Sequence, residues 1–209
     1  MDSLVTAAIA SREHRTAFLH ITYGQRTAAR ERQAFDRIAA HYDIATTLIC
    51  DLSYLSAIGG SSLTDRAQSI PTHGVDISAI PNTYVPFRNA HILSIAVSWA
   101  ETLGAGAIYI GAVEEDSSGY PDCSESFLQA FEIAANRGTR PETGLTIQAP
   151  LLHMRKSEIV ARGRELDVPF ELSWSCYKES ERACGVCDSC RLRRGAFEAN
   201  GLEDPIPYA

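Results

Sequence analysis

Four cysteines near the end of the chain have the types and spacing of a metal site. Seven residues separate Cys176 from Cys184, and Cys187 and Cys190 follow at gaps of two residues. Four thiolates this close in sequence can converge on one tetrahedral ion at ~2.3 Å, which suits Zn²⁺. An iron–sulfur cluster is the alternative that the same spacing tolerates. The predicted zinc site is structural, because four protein ligands leave no open position for a reactive water.

A run of polar residues at 111–123 could also do chemistry. It contains three successive carboxylates, Glu114, Glu115 and Asp116, and reaches Asp122 near its end. Adjacent carboxylates repel one another unless they are solvated or hold cations. The run is therefore either a solvated turn or a site that binds Mg²⁺ or hydrogen-bonds to a polar heterocycle. Its position after an apolar strand favours the second interpretation.

Three cationic side chains could meet a phosphate or a carboxylate. Arg88 and Asn89 precede a predicted helix, and a helix N-terminus favours anions. Arg26 follows a predicted strand, and Lys156 opens another predicted helix. Each also has a simpler interpretation: Asn89 as a helix N-cap, Arg26 in a surface salt bridge, and Lys156 on a solvated helix face.

The elements that must position these residues alternate along the chain. Apolar runs predict strands at 16–23, 44–52, 107–113 and 146–149. Apolar spacing of three and four predicts helices at 4–12, 28–42, 90–103, 124–137, 156–166 and 189–199. The alternation predicts an α/β fold with a doubly wound parallel sheet, in which ligands bind at the carboxyl ends of the strands. Residues 23–26 and 111–123 are expected there, and the long stretch 53–81 is interpreted as a mobile flap or a substrate loop.

The composition is that of an ordinary globular protein. The 209 residues carry a net charge of -7, with 45% hydrophobic and 22% charged residues. This charge argues against a large nucleic-acid-binding face, and no apolar run has the length of a membrane span. No signal peptide is visible, so the predicted location is the cytoplasm, where the six cysteines would stay reduced.

Taken together, these segments resemble the 7-cyano-7-deazaguanine synthases of queuosine biosynthesis, a family of the PP-loop superfamily of N-type ATP pyrophosphatases. The matching segments are Tyr-Gly-Gln-Arg at 23–26, Tyr-Val-Pro-Phe-Arg-Asn at 84–89, Ser-Gly-Tyr-Pro-Asp-Cys at 118–123, and 174–190, which begins Trp-Ser-Cys. They span nearly the whole chain in the order that the family has. The set is specific, although any one segment alone would not be.

The resemblance implies an adenine nucleotide alpha hydrolase-like α/β domain at 1–170, with a zinc-binding C-terminal segment at 171–209 packed on it. The superfamily's phosphate loop resembles Ser-Gly-Gly-x-Asp-Ser after a first strand. Only its second half has a counterpart here, in Met1, Asp2 and Ser3. We therefore expect an N-terminally truncated member of the family whose first strand is missing, with a gapped sheet and weakened ATP binding, since the glycines let backbone N–H groups approach phosphates.

By the same resemblance, the implied enzyme is a ligase that forms C–N bonds. It would convert 7-carboxy-7-deazaguanine and ammonia to the 7-nitrile with ATP and Mg²⁺, through an adenylated intermediate. A glutaminase domain does not fit in 209 residues, so ammonia would arrive free or from a partner. The resemblance implies a homodimer that acts on a small molecule, with no direct contact to nucleic acid or membrane.

The resemblance also assigns roles to individual residues. The residues implied to bind ATP are Asp2, Ser3, Leu4, Gln25 and Arg26. Those implied to be catalytic are Arg88, Asp116, Asp122 and Lys156, with Asp116 as a candidate Mg²⁺ ligand. Those implied to bind the substrate are Asn89, Ser118, Gly119 and Tyr120, and the metal ligands are the four cysteines. The chain departs from the family at Ser124, where relatives usually carry arginine, and this puts one substrate contact in doubt.

Other functions remain open from the sequence. A related PP-loop enzyme could act on another acyl substrate, such as a protein terminus. A tRNA-thiolating relative would need a catalytic cysteine pair and a basic face, which the net charge of -7 disfavours. The non-enzymatic alternative is an inactive, truncated homologue stabilised by zinc.

Overall fold

The computed structural model describes residues 1–72, 79–114 and 119–209. Its helices are α1 (Asp2–Glu13), α2 (Ala28–His41), α3 (Tyr54–Ile58), α4 (Arg88–Leu103), α5 (Glu125–Gly138), α6 (Lys156–Glu165) and α7 (Asp188–Ala199). Its strands are β1 (Phe18–Thr22), β2 (Thr47–Asp51), β3 (Ala107–Tyr109) and β4 (Thr146–Gln148), with short 3₁₀ turns at Pro121–Cys123 and Phe170–Leu172. The four predicted strands and six predicted helices are confirmed, whereas α3 lies within the stretch predicted to be irregular.

Local chemistry explains where several helices begin and end. Ser124 caps α5, because its hydroxyl oxygen accepts a hydrogen bond from the N–H of Phe127 at 3.2 Å. Gly104 ends α4 in the left-handed conformation, with φ of 67°, which costs glycine least. Ser124 therefore has a structural role as a helix cap.

The strands form two parallel pairs. Strand β1 pairs with β2, with Phe18 opposite Thr47, and β3 pairs with β4, with Ala107 opposite Thr146. Both pairs are parallel, as the alternation of strands and helices predicts. Among the described residues the two pairs are separate two-stranded sheets rather than one continuous sheet.

The facing edges of β1 and β3 have no strand partner in the described part of the chain. Phe18 directs its N–H toward the β2 side, so the next residue, Leu19, directs its backbone groups to the opposite side. Ile110 likewise directs its N–H toward the β4 side, so Tyr109 faces away from β4. A cavity of about 1070 Å³ lies between these edges, lined by residues 17–21 and 105–112. In the described part of the chain, this cavity therefore separates the two strand pairs.

Apolar packing joins the helices to the strands and to the cysteine segment. One cluster packs α1 against α6 and α7 through Leu4, Ile159 and Phe197. Another contains both Ile21 of β1 and Trp174, together with three of the four cysteines. The cysteine segment thus shares a core with β1. None of the helices in the described ranges is long and apolar enough to cross a membrane.

Candidate functional site

The four cysteines predicted to bind metal converge in space. Their sulfur atoms all lie within 4.8 Å of one another, and the Sγ atoms of Cys184 and Cys190 are 3.9 Å apart. Sulfurs at the corners of a tetrahedron around Zn²⁺ would be ~3.8 Å apart, given Zn–S bonds of ~2.3 Å. The donor set and its spacing therefore suit a zinc ion.

Backbone N–H groups surround these sulfurs. The Sγ of Cys176 accepts hydrogen bonds from the N–H groups of Lys178, Glu179 and Cys184, each at 3.4 Å. The pKa of Cys176 lies well below its ordinary value, chiefly because its sulfur accepts a hydrogen bond from Cys187. The backbone donors therefore stabilise a thiolate at Cys176, the form that binds metal, whereas the pKa values of Cys187 and Cys190 are raised by their hydrogen bonds to Cys176.

A small polar cavity collects residues predicted to bind ATP. Its volume is about 230 Å³, and its lining includes Asp2, Ser3, Gln25 and Arg26. The carboxyl end of β1 leads to Gln25 and Arg26, while the first turn of α1 supplies Asp2 and Ser3. The N-terminus of a helix and a guanidinium both favour anions, so the cavity can hold phosphate oxygens.

The side chains of Gln25 and Arg26 also bond to the protein itself. Gln25 accepts from the N–H of Tyr23 at 2.8 Å and donates to Glu31 at 3.0 Å. The guanidinium of Arg26 donates to backbone carbonyls at 62, 65 and 68. Arg26 therefore orders the loop after α3 in addition to lining the cavity.

Asp2 and Lys156 form a close ion pair between α1 and α6. The Nζ of Lys156 lies 2.7 Å from Oδ2 of Asp2, and both residues line the larger cavity. Burial alone would raise the pKa of Asp2, but the Lys156 ammonium reverses this and lowers it below the ordinary value. Oδ1 of Asp2 is buried and accepts no hydrogen bond from the described residues. Lys156, predicted to be catalytic, thus contacts Asp2, predicted to bind ATP.

Arg88, at the first turn of α4, lines the larger cavity beside Tyr23. Its Nη1 donates to the Tyr23 hydroxyl at 2.9 Å, and burial raises the pKa of Tyr23 to about 12. Burial opposes the charge of Arg88, yet neighbouring tyrosines and Asp122 hold the pKa of the guanidinium above its ordinary value. Arg88 therefore stays charged and can attract a carboxylate.

Asn89 lines this cavity and is bonded to Asp122, which does not line it. Asn89 donates its N–H to Oδ2 of Asp122 at 2.8 Å and its side-chain Nδ2 to the Asp122 carbonyl at 3.0 Å. Asp122 is 3% exposed, and burial raises the pKa of its carboxyl group. Its Oδ1 is buried without a partner among the described residues, and such a group is costly to leave unbonded.

The remaining predicted site residues are placed differently. Tyr120 lines the larger cavity, and its hydroxyl lies 2.8 Å from Oγ1 of Thr83. Gly119 is exposed, with φ of 70°. Leu4 is 1% exposed and packs in the core, although it also touches the larger cavity. Asp116 and Ser118 lie outside the described residues.

Sequence reasoning missed part of the cavity wall. Trp174, Ser175 and Tyr177 line both cavities, together with Tyr23 and Ser189. None of these was predicted as a site residue. The signal available in the sequence was their place in segments that match the family, 174–190 for four of them and 23–26 for Tyr23.

Comparison with known proteins finds relatives that match the whole chain. The profile of the family described as "Queuosine biosynthesis protein QueC" matches residues 1–201. Proteins named "7-cyano-7-deazaguanine synthase" from Chlorobium luteolum and Chlorobaculum tepidum are 57% and 56% identical to the chain over 211 residues. One of the same name from Chloroherpeton thalassium is 56% identical over 209 residues. Each comparison covers 100% of this chain and 92% of the relative. The chain belongs to the QueC family of queuosine biosynthesis proteins.

Proposed function

We propose that the protein converts 7-carboxy-7-deazaguanine and ammonia to 7-cyano-7-deazaguanine with consumption of ATP, in queuosine biosynthesis. The proposal rests on the match of residues 1–201 to the QueC family. Relatives that cover the whole chain are named as this synthase. The two adjoining cavities support it, because one is lined by anion-binding groups and the other by Arg88, Asn89 and Tyr120.

The chemistry follows from the poor reactivity of a carboxylate. Its oxygen becomes a leaving group when it attacks the α-phosphate of ATP, which gives an acyl-adenylate and releases pyrophosphate. Ammonia then displaces AMP and forms the amide. A second adenylation, on the amide oxygen, followed by loss of AMP and protons, gives the nitrile. The protein contributes mainly positioning and charge stabilisation.

The small cavity is the proposed phosphate site. Ser3 and the first turn of α1 would donate hydrogen bonds to phosphate oxygens. Lys156, 2.7 Å from Asp2, would exchange part of this ion pair for phosphate charge, and Arg26 would add a further cation. Mg²⁺ is proposed to accompany ATP, with Asp116 as a candidate ligand.

The larger cavity is the proposed deazaguanine site. The charged Arg88 would hold the substrate carboxylate and stabilise charge on the reacting oxygens. Asp122, whose Oδ1 has no described partner, would accept a hydrogen bond from a heterocycle N–H, with Asn89 orienting it. Gly119, Tyr120 and Ser118 would complete the contact with the substrate.

The remaining proposals concern the assembly. Zn²⁺ bound by the four cysteines, whose sulfurs lie within 4.8 Å of one another, would act structurally. The proposed function also includes an α/β domain at 1–170, a zinc segment at 171–209 and a homodimer. It further includes a cytoplasmic location and a supply of free ammonia.

Mass-spectrometric detection of products tests the function. The protein is incubated with ATP, Mg²⁺, ammonium and 7-carboxy-7-deazaguanine, beside a version with a strand and Ser-Gly-Gly joined ahead of Met1. We expect nitrile, with greater turnover in the extended version because its glycines admit phosphate to the backbone. Absence of nitrile and amide from both zinc-loaded proteins would contradict the proposal.

A matched pair of arginine variants assigns the product to this site. Arg88→Met removes the cation of the larger cavity and is expected to lower kcat/KM by at least ~100-fold. Arg137→Met changes an exposed residue near the end of α5 and should leave turnover near that of the parent protein. Equal activity of the two variants would remove Arg88 from the mechanism.

A further inference from the structure

The segment 174–177 belongs both to the cysteine cluster and to the wall of the two cavities. Trp174, Ser175 and Tyr177 line both cavities, while Cys176 between them is 2% exposed and directs its sulfur to the other cysteines. A change in the geometry of the cysteine cluster must therefore move the cavity wall, because only one peptide bond separates Cys176 from each neighbour.

Trp174 has a buried donor that no described residue uses. The residue is 8% exposed, and its indole Nε1 makes no hydrogen bond with the described part of the protein. The guanidinium of Arg30 lies over the indole ring, 4.5 Å from its centre. Native structures usually satisfy a buried indole N–H. Trp174 lines both cavities, and its indole N–H is left for a partner outside the described residues.

Tyr177 connects this wall to the predicted substrate residues. Its hydroxyl interacts with Tyr120, and it lies in the electrostatic environment of Arg88 and Tyr23. Tyr120 and Arg88 line the same cavity. The wall therefore faces the place proposed for the carboxylate-bearing heterocycle.

The wall is held firmly on its two sides. The buried guanidinium of Arg193 donates to the hydroxyls of Ser173 at 2.7 Å and Ser175 at 3.4 Å. On the other side, the sulfur of Cys176 is held by backbone N–H groups within the cysteine cluster. Side chains fixed in this way lose little conformational freedom on binding, so they can position a ligand.

We propose that Trp174 and Tyr177 contact the planar heterocycle of the substrate, and that the metal held through Cys176 positions both. Trp174 donates its indole N–H to an acceptor of the heterocycle and offers an aromatic surface. Tyr177 sets the distance between the ring and Arg88. The inference rests on the proposed function for its ligand class, a polar bicyclic purine analogue that carries a carboxylate.

Fluorescence titration tests the contact directly. The chain has two tryptophans, of which Trp99 also lines the larger cavity. Calorimetry first checks that the Trp99→Phe protein has the Kd of the parent, and this variant leaves Trp174 as the one indole. Titration with 7-carboxy-7-deazaguanine should change its emission with the Kd that calorimetry gives for the parent protein. Trp174→Phe retains an aromatic ring but removes the donor, and it should raise Kd and KM about 10-fold while kcat changes less.

A second variant guards against misfolding. Tyr177→Phe keeps the ring and its packing and should raise Kd about fivefold, since one hydrogen bond to a neighbour is lost. Thermal unfolding of all variants is followed in parallel. If the parent binds the ligand and Kd is unchanged in both Trp174→Phe and Tyr177→Phe, this inference is overturned while the proposed function stands. Failure of the parent to bind the ligand would overturn the proposed function with it.

Removal of the metal tests the positioning role through fluorescence and ligand binding, without an activity assay. Chelation of zinc from the Trp99→Phe protein should shift the emission of Trp174 and raise Kd at least fivefold, and added Zn²⁺ should restore both. Emission and Kd that do not respond to loss of zinc would overturn the coupling between the cysteine cluster and the wall.

Discussion

Residues far apart in the chain meet beside the larger cavity because two helices begin at the same place. Asp2 begins α1 and Lys156 begins α6, and their side chains approach to 2.7 Å. The pKa of Asp2 stays low because of this ammonium, so the carboxylate is charged at neutral pH. A phosphate group bound in this cavity would compete with Asp2 for Lys156.

At the residue scale, Cys187→Ser tests the metal site. The change removes one of four ligands, so bound zinc should fall from about one ion per chain to a small fraction, and the Tm should drop by several degrees. Metal analysis and thermal unfolding measure the two effects. Cys50→Ser is the control, because Cys50 lies outside the cluster and its loss should leave zinc in place. Retained zinc in Cys187→Ser would refute the four-cysteine site.

At the element scale, the close approach of α1 to the end of β3 decides the geometry of the small cavity. A Cβ atom on Gly111 would lie 2.8 Å from the backbone N of Ser3. Real side chains do not tolerate this distance, and the atom opposite is backbone, which cannot rotate away. Gly111 is therefore required for the first turn of α1 to reach its position beside the cavity.

Gly111→Ala is expected to push α1 away from β3. The overpacking should cost about 1–3 kcal/mol in the free energy of unfolding and should weaken ATP binding through the displacement of Ser3. Urea denaturation and calorimetric titration with ATP measure these two quantities. Gly106→Ala lies just before β3 and meets nothing within 4 Å, so it should be close to neutral. Similar stability of the two variants would contradict the steric argument.

At the scale of the whole molecule, a buried ion pair ties the C-terminal tail to α7 and to the cavity wall. Arg193 and Asp204 are joined by two hydrogen bonds, at 2.7 and 2.9 Å, and their side chains are 1% and 3% exposed. The tail then returns to the cysteine segment, where Ala183 bridges to Tyr208. One buried pair therefore links the tail, the metal site and the serines beside Trp174.

Asp204→Asn leaves the buried Arg193 without its counter-charge. Such a loss typically costs about 3–5 kcal/mol, so the urea midpoint should fall markedly. The exposed pair of Arg194 and Glu198, 3.9 Å apart on the same helix, supplies the control, because Glu198→Gln should leave the midpoint nearly unchanged. Equal effects would mean that the tail is not anchored through Asp204.

The chain's own residues were enough to predict its local structure and its family. The alternation of apolar runs predicted the four strands and six helices, because side-chain periodicity reports which face each element buries. The spacing of Cys184, Cys187 and Cys190 predicted a metal site, because cysteines with two residues between them in a turn lie close together. The stretch 53–81 was left without an element, since α3 is too short to show a helical period.

The contacts between elements were decided only by the tertiary structure. The sequence predicted that Arg26 and Lys156 contact phosphate. It did not reveal that Arg26 donates hydrogen bonds to three loop carbonyls or that Lys156 pairs with Asp2. It could not show that Trp174 and Tyr177 form the wall of both cavities. These relations join residues far apart in the chain, and periodicity carries no information about which distant elements meet. Packing of buried surfaces determines that, and it exists only in the folded molecule.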